Sequence, residues 1–299
     1  MNQPKWNPYV LVVIGVLSVS TSAIFVKLST APSGIIAFYR LFFSVLIILP
    51  FFLWNHRTET KNITGRDFVF SIIAGVFLAF HFILWFESLN YTSVASSTVL
   101  VTLQPLFSFV GTYFFYKESL TPLMILSGII AIMGSVIISW GDFALSTKAL
   151  FGDFLALIAC ALITGYLLFG QTVRKRLSLT TYTFIVYSIS SITLLFYVFV
   201  QHLPLFSYSG ENWLYFVLLA IFPTLFGHSL FNWSIKWIST NVVSMMILLE
   251  PVGATLLAYF ILDEKVRLSQ WIGGIIVLIG LGLFSYRGKK NEQETQNHL

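Results

Sequence analysis

The sequence predicts an all-α integral membrane protein: ten transmembrane helices arranged as two inverted five-helix repeats. Three observations predict it, namely composition, the length of the apolar runs, and a motif that occurs twice. Apolar residues make up 57% and charged residues 10% of the 299 positions, against roughly 25% charged in an ordinary globular domain. A run of about 18 or more apolar residues crosses a hydrocarbon layer about 30 Å thick at 1.5 Å per helical residue. Gln104-Pro105, Tyr113-Phe114, Glu118, Gly128-Ile129-Ile130 and Gly134 recur as Glu250-Pro251, Tyr259-Phe260, Glu264, Gly274-Ile275-Ile276 and Gly280, each 146 positions on (250 − 104). The chain reads as two copies of one membrane unit.

The apolar runs fall at 8–27, 34–54, 67–89, 93–115, 121–140, 152–172, 180–201, 213–233, 240–262 and 268–286. The connections between them are short and carry turn residues or charge: Pro32-Ser33-Gly34, the 55–66 stretch with His56, Arg57, Lys61 and Arg66, and Pro204. No stretch is long enough for a separate soluble domain. The 287–299 tail, with Arg287, Lys289, Lys290, Glu292, Gln293 and Glu294, reads as polar and disordered. The first run follows Lys5 and precedes Ser29-Thr30-Ala31, but it exceeds the 7–15 residues of a signal core, and cleavage would leave one repeat short. The single cysteine, Cys160, lies inside the sixth run and reads as a packing residue, so there is no disulfide framework and no cysteine metal site.

Basic residues in short loops are retained on the cytoplasmic side, which sets orientation. With the N-terminus inside, twelve fall on the cytoplasmic face: Lys5, Arg57, Lys61, Arg66, Lys117, Arg174, Lys175, Arg176, Lys236, Arg287, Lys289 and Lys290. Four fall outside, Lys27, Lys148, Lys265 and Arg267, while Arg40 lies within the second run. Both termini are therefore expected in the cytoplasm. Five helices per copy is odd, so the second copy enters from the opposite side. The charge pattern agrees: the loop after the first helix is basic in copy two (Arg174-Lys175-Arg176) and the loop after the second helix is basic in copy one (55–66) but not in copy two (202–212). This is the pattern of an inverted repeat about an axis in the membrane plane. The net charge of +5 is accordingly topogenic and gives no reason to expect nucleic-acid binding.

Two five-helix halves, each with a [Gln/Glu]-Pro step, a Tyr-Phe pair, an acidic residue and a glycine-rich last helix, resemble the EamA family of the drug/metabolite transporter superfamily. The resemblance covers nearly the whole chain, 11–139 for one unit and 152–285 for the other. It implies ten helices, alternating access and movement of small metabolites, often amino acids and commonly outward, across the cell membrane.

Particular residues carry the site reading. Pro105 and Pro251 lie about halfway through the fourth and ninth runs, where proline removes a backbone hydrogen bond and kinks a helix. Broken helices at the midplane are where transporters of this plan bind substrate; a kink that only shapes packing is the alternative. Gln104 and Glu250, beside them, sit roughly 15 Å into the membrane at 1.5 Å per residue. A carboxylate there costs a few kcal/mol unless paired, protonated or facing water, so Glu250 is the foremost site candidate, to accept a substrate amine or carry a proton. Arg40 either snorkels to the interface or faces the cavity, opposite a substrate carboxylate or Glu250. His81 and Trp85 share a face of the third helix, and His228, Asn232 and Trp233 occupy the similar stretch of the eighth, either lining a cavity or packing. Trp6, Tyr9, Trp54, Trp140, Trp213 and Trp271 lie near run ends as interfacial belts. Ser18, Ser22, Gly128, Gly134, Gly273, Gly274, Gly280 and Gly282 permit close helix approach within the chain or between subunits of a homodimer.

Three readings compete. A secondary transporter of small polar metabolites, with helices 1, 2, 3, 4, 6, 8 and 9 around a midplane site, ranks first. An intramembrane enzyme would need a nucleophile or metal set, and no His-Glu-x-x-His, Gly-x-Ser-x-Gly or paired intramembrane aspartate occurs. A lipid-handling or sensing protein would need an apolar cavity open to lipid. No P-loop is present, so uphill transport would draw on an ion or proton gradient, and no cofactor or metal is expected.

Overall fold

A computed structural model describes residues 4–92, 94–139, 147–263 and 267–297. Trp140 of the expected belts, and Glu264 and Lys265, lie outside the described residues. Every regular element among them is helical. Eight segments are long and apolar enough to cross a membrane, and Pro122–Ile138 and Leu268–Phe284 form two shorter apolar helices.

Several expected runs are broken, and the breaks have local causes. The first run is α1 (Pro8–Val19) and α2 (Ser22–Leu28). Asn7 Oδ1 caps α1 at Tyr9 N, and Pro8 fills a first-turn position whose missing N–H costs nothing. At the break, Ser20 Oγ donates back to Val16 O at 2.9 Å, and Thr21 Oγ1 to Ser18 O at 2.7 Å. Helix α3 (Ser33–Phe51) has Pro50 in its last turn and loosens into a π turn, Phe52–His56, and a 3-10 segment, Arg57–Asn62. Helix α4 (Gly65–Ser88) starts at a capping box of Thr64 and Asp67.

The fourth run divides into α5 (Val94–Val101) and α6 (Gln104–Tyr116), the ninth into α12 (Thr240–Ile247) and α13 (Glu250–Ile261). In each the proline stands in the first turn of the second piece. Pro105 and Pro251 therefore start half-helices inside the bundle instead of bending continuous ones. The eighth run is α10 (Gly210–Leu219), a π segment Ala220–His228 holding Pro223, and α11 (Ser229–Ser234). The proline cannot donate into the ladder and displaces the preceding turn, which is a recognised cause of such bulges. The remaining elements are α7 (Pro122–Ser139), α8 (Thr147–Arg174), α9 (Leu179–Val200) and α14 (Leu268–Asn297). Helix α14 thus takes in the polar segment from Arg287 to Asn297.

Helix α4 packs along α8 and α9, and α7 along α14. Backbone contact governs the second interface: a Cβ on Gly134 would lie 2.7 Å from Gly273 O, one on Gly273 2.5 Å from Gly134 O, and one on Gly280 2.7 Å from Ala131 N. Only hydrogen fits at those three positions. The glycine signal is therefore used inside the chain, between the last helices of the two copies; Gly282 has nothing within 4 Å. The outer surface is apolar, with Trp54 88%, Phe196 70% and Phe260 74% exposed, as a hydrocarbon-facing surface requires.

Candidate functional site

A small cavity walled by buried residues lies between the halves, lined by Arg40, His81, Trp85, Gln104, His228 and Glu250 together with Ser22 and apolar residues such as Val101, Leu167 and Phe231. Its free volume, about 20 Å³, holds a single water. Pieces of the first, second, third, fourth, sixth, eighth and ninth runs all contribute.

Arg40 is fully buried. The snorkelling alternative fails, because α3 carries this side chain inward between α2, α4 and the π segment. Its Nε donates to Thr224 Oγ1 at 2.7 Å and its Nη1 to Ser22 Oγ at 2.8 Å. Thr224 Oγ1 itself donates to Leu219 O at 2.8 Å, five residues back, so its lone pairs remain for Arg40. The guanidinium carbon stands 4.1 Å above the Phe82 ring and 5.8 Å from that of Phe86, a cation–π arrangement in a dry setting. Nη2 has no partner.

Glu250 and Gln104 open α13 and α6, so both half-helix N-termini meet at the cavity. Backbone N–H groups and the helix dipole favour negative charge at such a point. The Arg40 guanidinium and Glu250 carboxylate share the cavity without pairing: the ion pairs among the described residues are His56–Glu59 and Asp67–Arg176. Gln104 Oε1, an acceptor, has no partner.

His81 Nδ1 lies 2.9 Å from Ala159 O. A carbonyl only accepts, so Nδ1 carries the hydrogen and donates. The His81 ring stacks on Trp85 with centroids 5.8 Å apart, and the His228 ring stands edge-on to Phe82 at 5.5 Å and Phe231 at 5.9 Å. Trp85 Nε1 and His228 Nδ1 lack partners. Unpartnered buried polar atoms are costly, and here Arg40, Trp85, Gln104 and His228 each carry one around a single cavity.

Two of the eight expected residues are not brought to it. Asn232 donates from Nδ2 to Tyr166 OH, and its main-chain carbonyl accepts from Arg174 Nε at 2.8 Å, so it belongs to a polar layer beside the cavity. Trp233 is half-buried against Trp237, with ring centroids 5.9 Å apart. Both lie in α11, past the π segment, where Phe231 takes the cavity-facing position three residues on from His228; Trp233, five residues on, is turned roughly 140° from His228 at about 100° per helical residue. Thr224 and Phe82, partners of Arg40, carried no sequence signal beyond Pro223, which marks the distorted turn. Among the described residues no group of three or more His, Cys, Asp or Glu could hold a metal.

Fold and site define a multi-pass membrane protein of the transporter class, with a polar cavity between two halves of its own chain. The protein belongs to the EamA-like transporter family, whose model matches residues 6–140 and again 150–286. It is similar to an uncharacterized transporter, YxxF, of Bacillus subtilis, 26% identical over 97% of this chain and 94% of that one. It also resembles a WAT1-related protein of Arabidopsis thaliana, 23% identical over 99% of this chain and 90% of the relative. An S-adenosylmethionine uptake transporter of Rickettsia bellii is 34% identical over 28% of each chain. A solved crystal structure superposes with a TM-score of 0.77, covering 95% of this chain and 98% of that one at 16% identity, and so shares the fold. The family and the relatives' names point away from an enzyme.

Proposed function

We propose that the protein exports small metabolites, amino acids or related compounds, across the plasma membrane by alternating access of two inverted five-helix repeats. Arg40, Glu250, Gln104, His81, Trp85 and His228 line the site. The observation that carries this reading is the buried cavity holding an arginine and a glutamate that do not pair with each other. A zwitterion supplies the missing partner to both, its carboxylate to Arg40 Nη2 and its ammonium to Glu250. The free volume near that of one water is too small for a metabolite, so one half must move for a metabolite to enter.

Ten membrane crossings with both termini cytoplasmic follow from the basic loops. Two contacts support that topology. Glu59, beyond α3, accepts from Ser178 N at 2.6 Å at the start of α9, while Asn212, beyond its other end, binds Ser29 and Thr30. Helix α9, 22 residues long, separates these points by about 33 Å. Glu250 is also the residue suited to carry a proton, since the sequence holds no nucleotide motif and uphill movement would draw on an ion or proton gradient.

Export is tested in proteoliposomes. Glu250→Gln and Arg40→Ala should each lower amino-acid flux with expression near normal, and unchanged flux for both would remove them from the mechanism. A second reading, uptake, has one observation in its favour, the name of the S-adenosylmethionine uptake transporter of Rickettsia bellii; loading cells with candidate compounds and timing their efflux separates the two. Movement of lipids alone would establish a lipid-handling role in their place.

A further inference from the structure

A second repeated motif sits at the two ends of the bundle. Thr64-Gly65-Arg66-Asp67 opens α4 and Ser209-Gly210-Glu211-Asn212 opens α10, 145 positions apart (209 − 64). The hydroxyl residue is the N-cap in both. The side chain three residues on is buried in both, Asp67 at 1% and Asn212 at 4% exposure. Each reaches across to the segment that follows the first helix of the other half.

Asp67 keeps one oxygen for its own helix, accepting from Thr64 Oγ1 at 2.7 Å, and gives the other to Arg176 Nη2 at 2.5 Å, just past α8. Asn212 Oδ1 accepts from Ser29 Oγ at 2.7 Å and Thr30 N at 3.0 Å, just past α2. Its Nδ2 donates to Thr30 Oγ1 at 3.0 Å and to its own cap, Ser209 Oγ, at 2.9 Å. Helix capping needs only the local half of each set. The far half ties the two repeats together, once at each end of the bundle, with the cavity between.

We infer that Asp67–Arg176 and Asn212–Ser29/Thr30 are the two gates of the carrier, equivalent by the repeat but unequal in chemistry. This rests on the alternating-access reading above. The gate on the basic, cytoplasmic face is ionic and is backed by Glu59 on Ser178, at 2.6 Å to N and 2.5 Å to Oγ. The outer gate is neutral. A charge-assisted hydrogen bond is roughly twice as strong as a neutral one, so the empty carrier opens outward more readily than inward. Both gates are closed in this structure.

The test reads accessibility and needs no substrate. Cys160 is the only cysteine, so Cys160→Ser gives a cysteine-free background, and Val101→Cys, on the cavity wall, places a reporter. A membrane-impermeant maleimide is applied to intact cells and to inverted membrane vesicles. Arg176→Gln, which leaves the α4 capping box intact, should raise labelling from the cytoplasmic side roughly three- to tenfold and lower it from outside; this is the size of one charge-assisted hydrogen bond discounted for a half-exposed arginine. Asn212→Ala should shift the ratio the opposite way. A purely structural role would lower protein yield without opposed shifts. Two-sided labelling whose ratio ignores both substitutions would overturn the gate assignment alone. Labelling from one side only in every variant would overturn alternating access, and the gates with it.

Discussion

Replacing Arg40 with methionine separates the guanidinium's part in holding the bundle from its part in binding. The side chain is fully buried, with bonds of 2.7 Å to Thr224 and 2.8 Å to Ser22 and the Phe82 ring 4.1 Å away. Two hydrogen bonds from a charged donor are worth about 1.5–3 kcal/mol each, and a desolvated cation–π contact about 2 kcal/mol. Against them stands the cost of taking a cation out of water, several kcal/mol. These nearly cancel, and methionine fills most of the space, so folding stability should move by no more than about 2 kcal/mol. Substrate binding has no such offset. Nη2 is the atom left free, and one charge-assisted bond to a substrate carboxylate, about 1.5–3 kcal/mol, corresponds to roughly a 10- to 150-fold rise in half-saturation concentration. Counterflow of labelled amino acids into proteoliposomes measures it, with reconstituted protein quantified alongside. An unchanged half-saturation in well-folded protein would refute the reasoning, because the free guanidinium nitrogen would then have no substrate to meet.

Thr224→Val should act on the same arginine indirectly: it removes the acceptor for Nε, leaving a buried charged donor unsatisfied at a cost above the roughly 1–3 kcal/mol of a neutral group, and should lower both thermal stability and flux. Gly134→Ala forces a Cβ to within 2.7 Å of Gly273 O and Val277 N; overpacking of this kind costs about 1–3 kcal/mol, so the melting temperature in detergent should fall by several degrees. Gly282→Ala, with open space around it, should leave that temperature unchanged or slightly raised through helix propensity, and equal drops for the two would count against the packed interface. Single cysteines in 57–66 and in 202–212 should react from opposite faces of the membrane, and reaction from one face would remove the inverted topology.

How much of this was legible depends on the range over which each feature is determined. Pro105 and Pro251 marked the breaks because proline acts on its own turn, although the chain restarts a helix there instead of bending one. Arg40 and Glu250 stood out because charge in an apolar run is costly wherever it points. Asn232 is expected beside His228 on four-residue spacing and Trp233 as the counterpart of Trp85 in the other copy; the hydrogen bond of Asn232 to Tyr166 and the turn of Trp233 toward Trp237 depend on neighbours the spacing does not specify. The repeat Thr64-x-x-Asp67 and Ser209-x-x-Asn212 is present in the sequence but has the form of ordinary capping, since nothing local says that the second half of each side chain's bonds leaves the helix.

The sequence by itself determined that this is a duplicated, multi-pass helical membrane protein with a charged step in its interior. Hydropathy, charge bias and repeat spacing are sums over neighbouring residues, and the bilayer reads them segment by segment. Tertiary structure alone decided which segments meet. Arg40 finds Thr224 at a separation of 184 residues, and Asp67 finds Arg176 at 109. Those meetings follow from α3 packing against the π segment and α4 along α8, and both depend on the whole bundle being assembled.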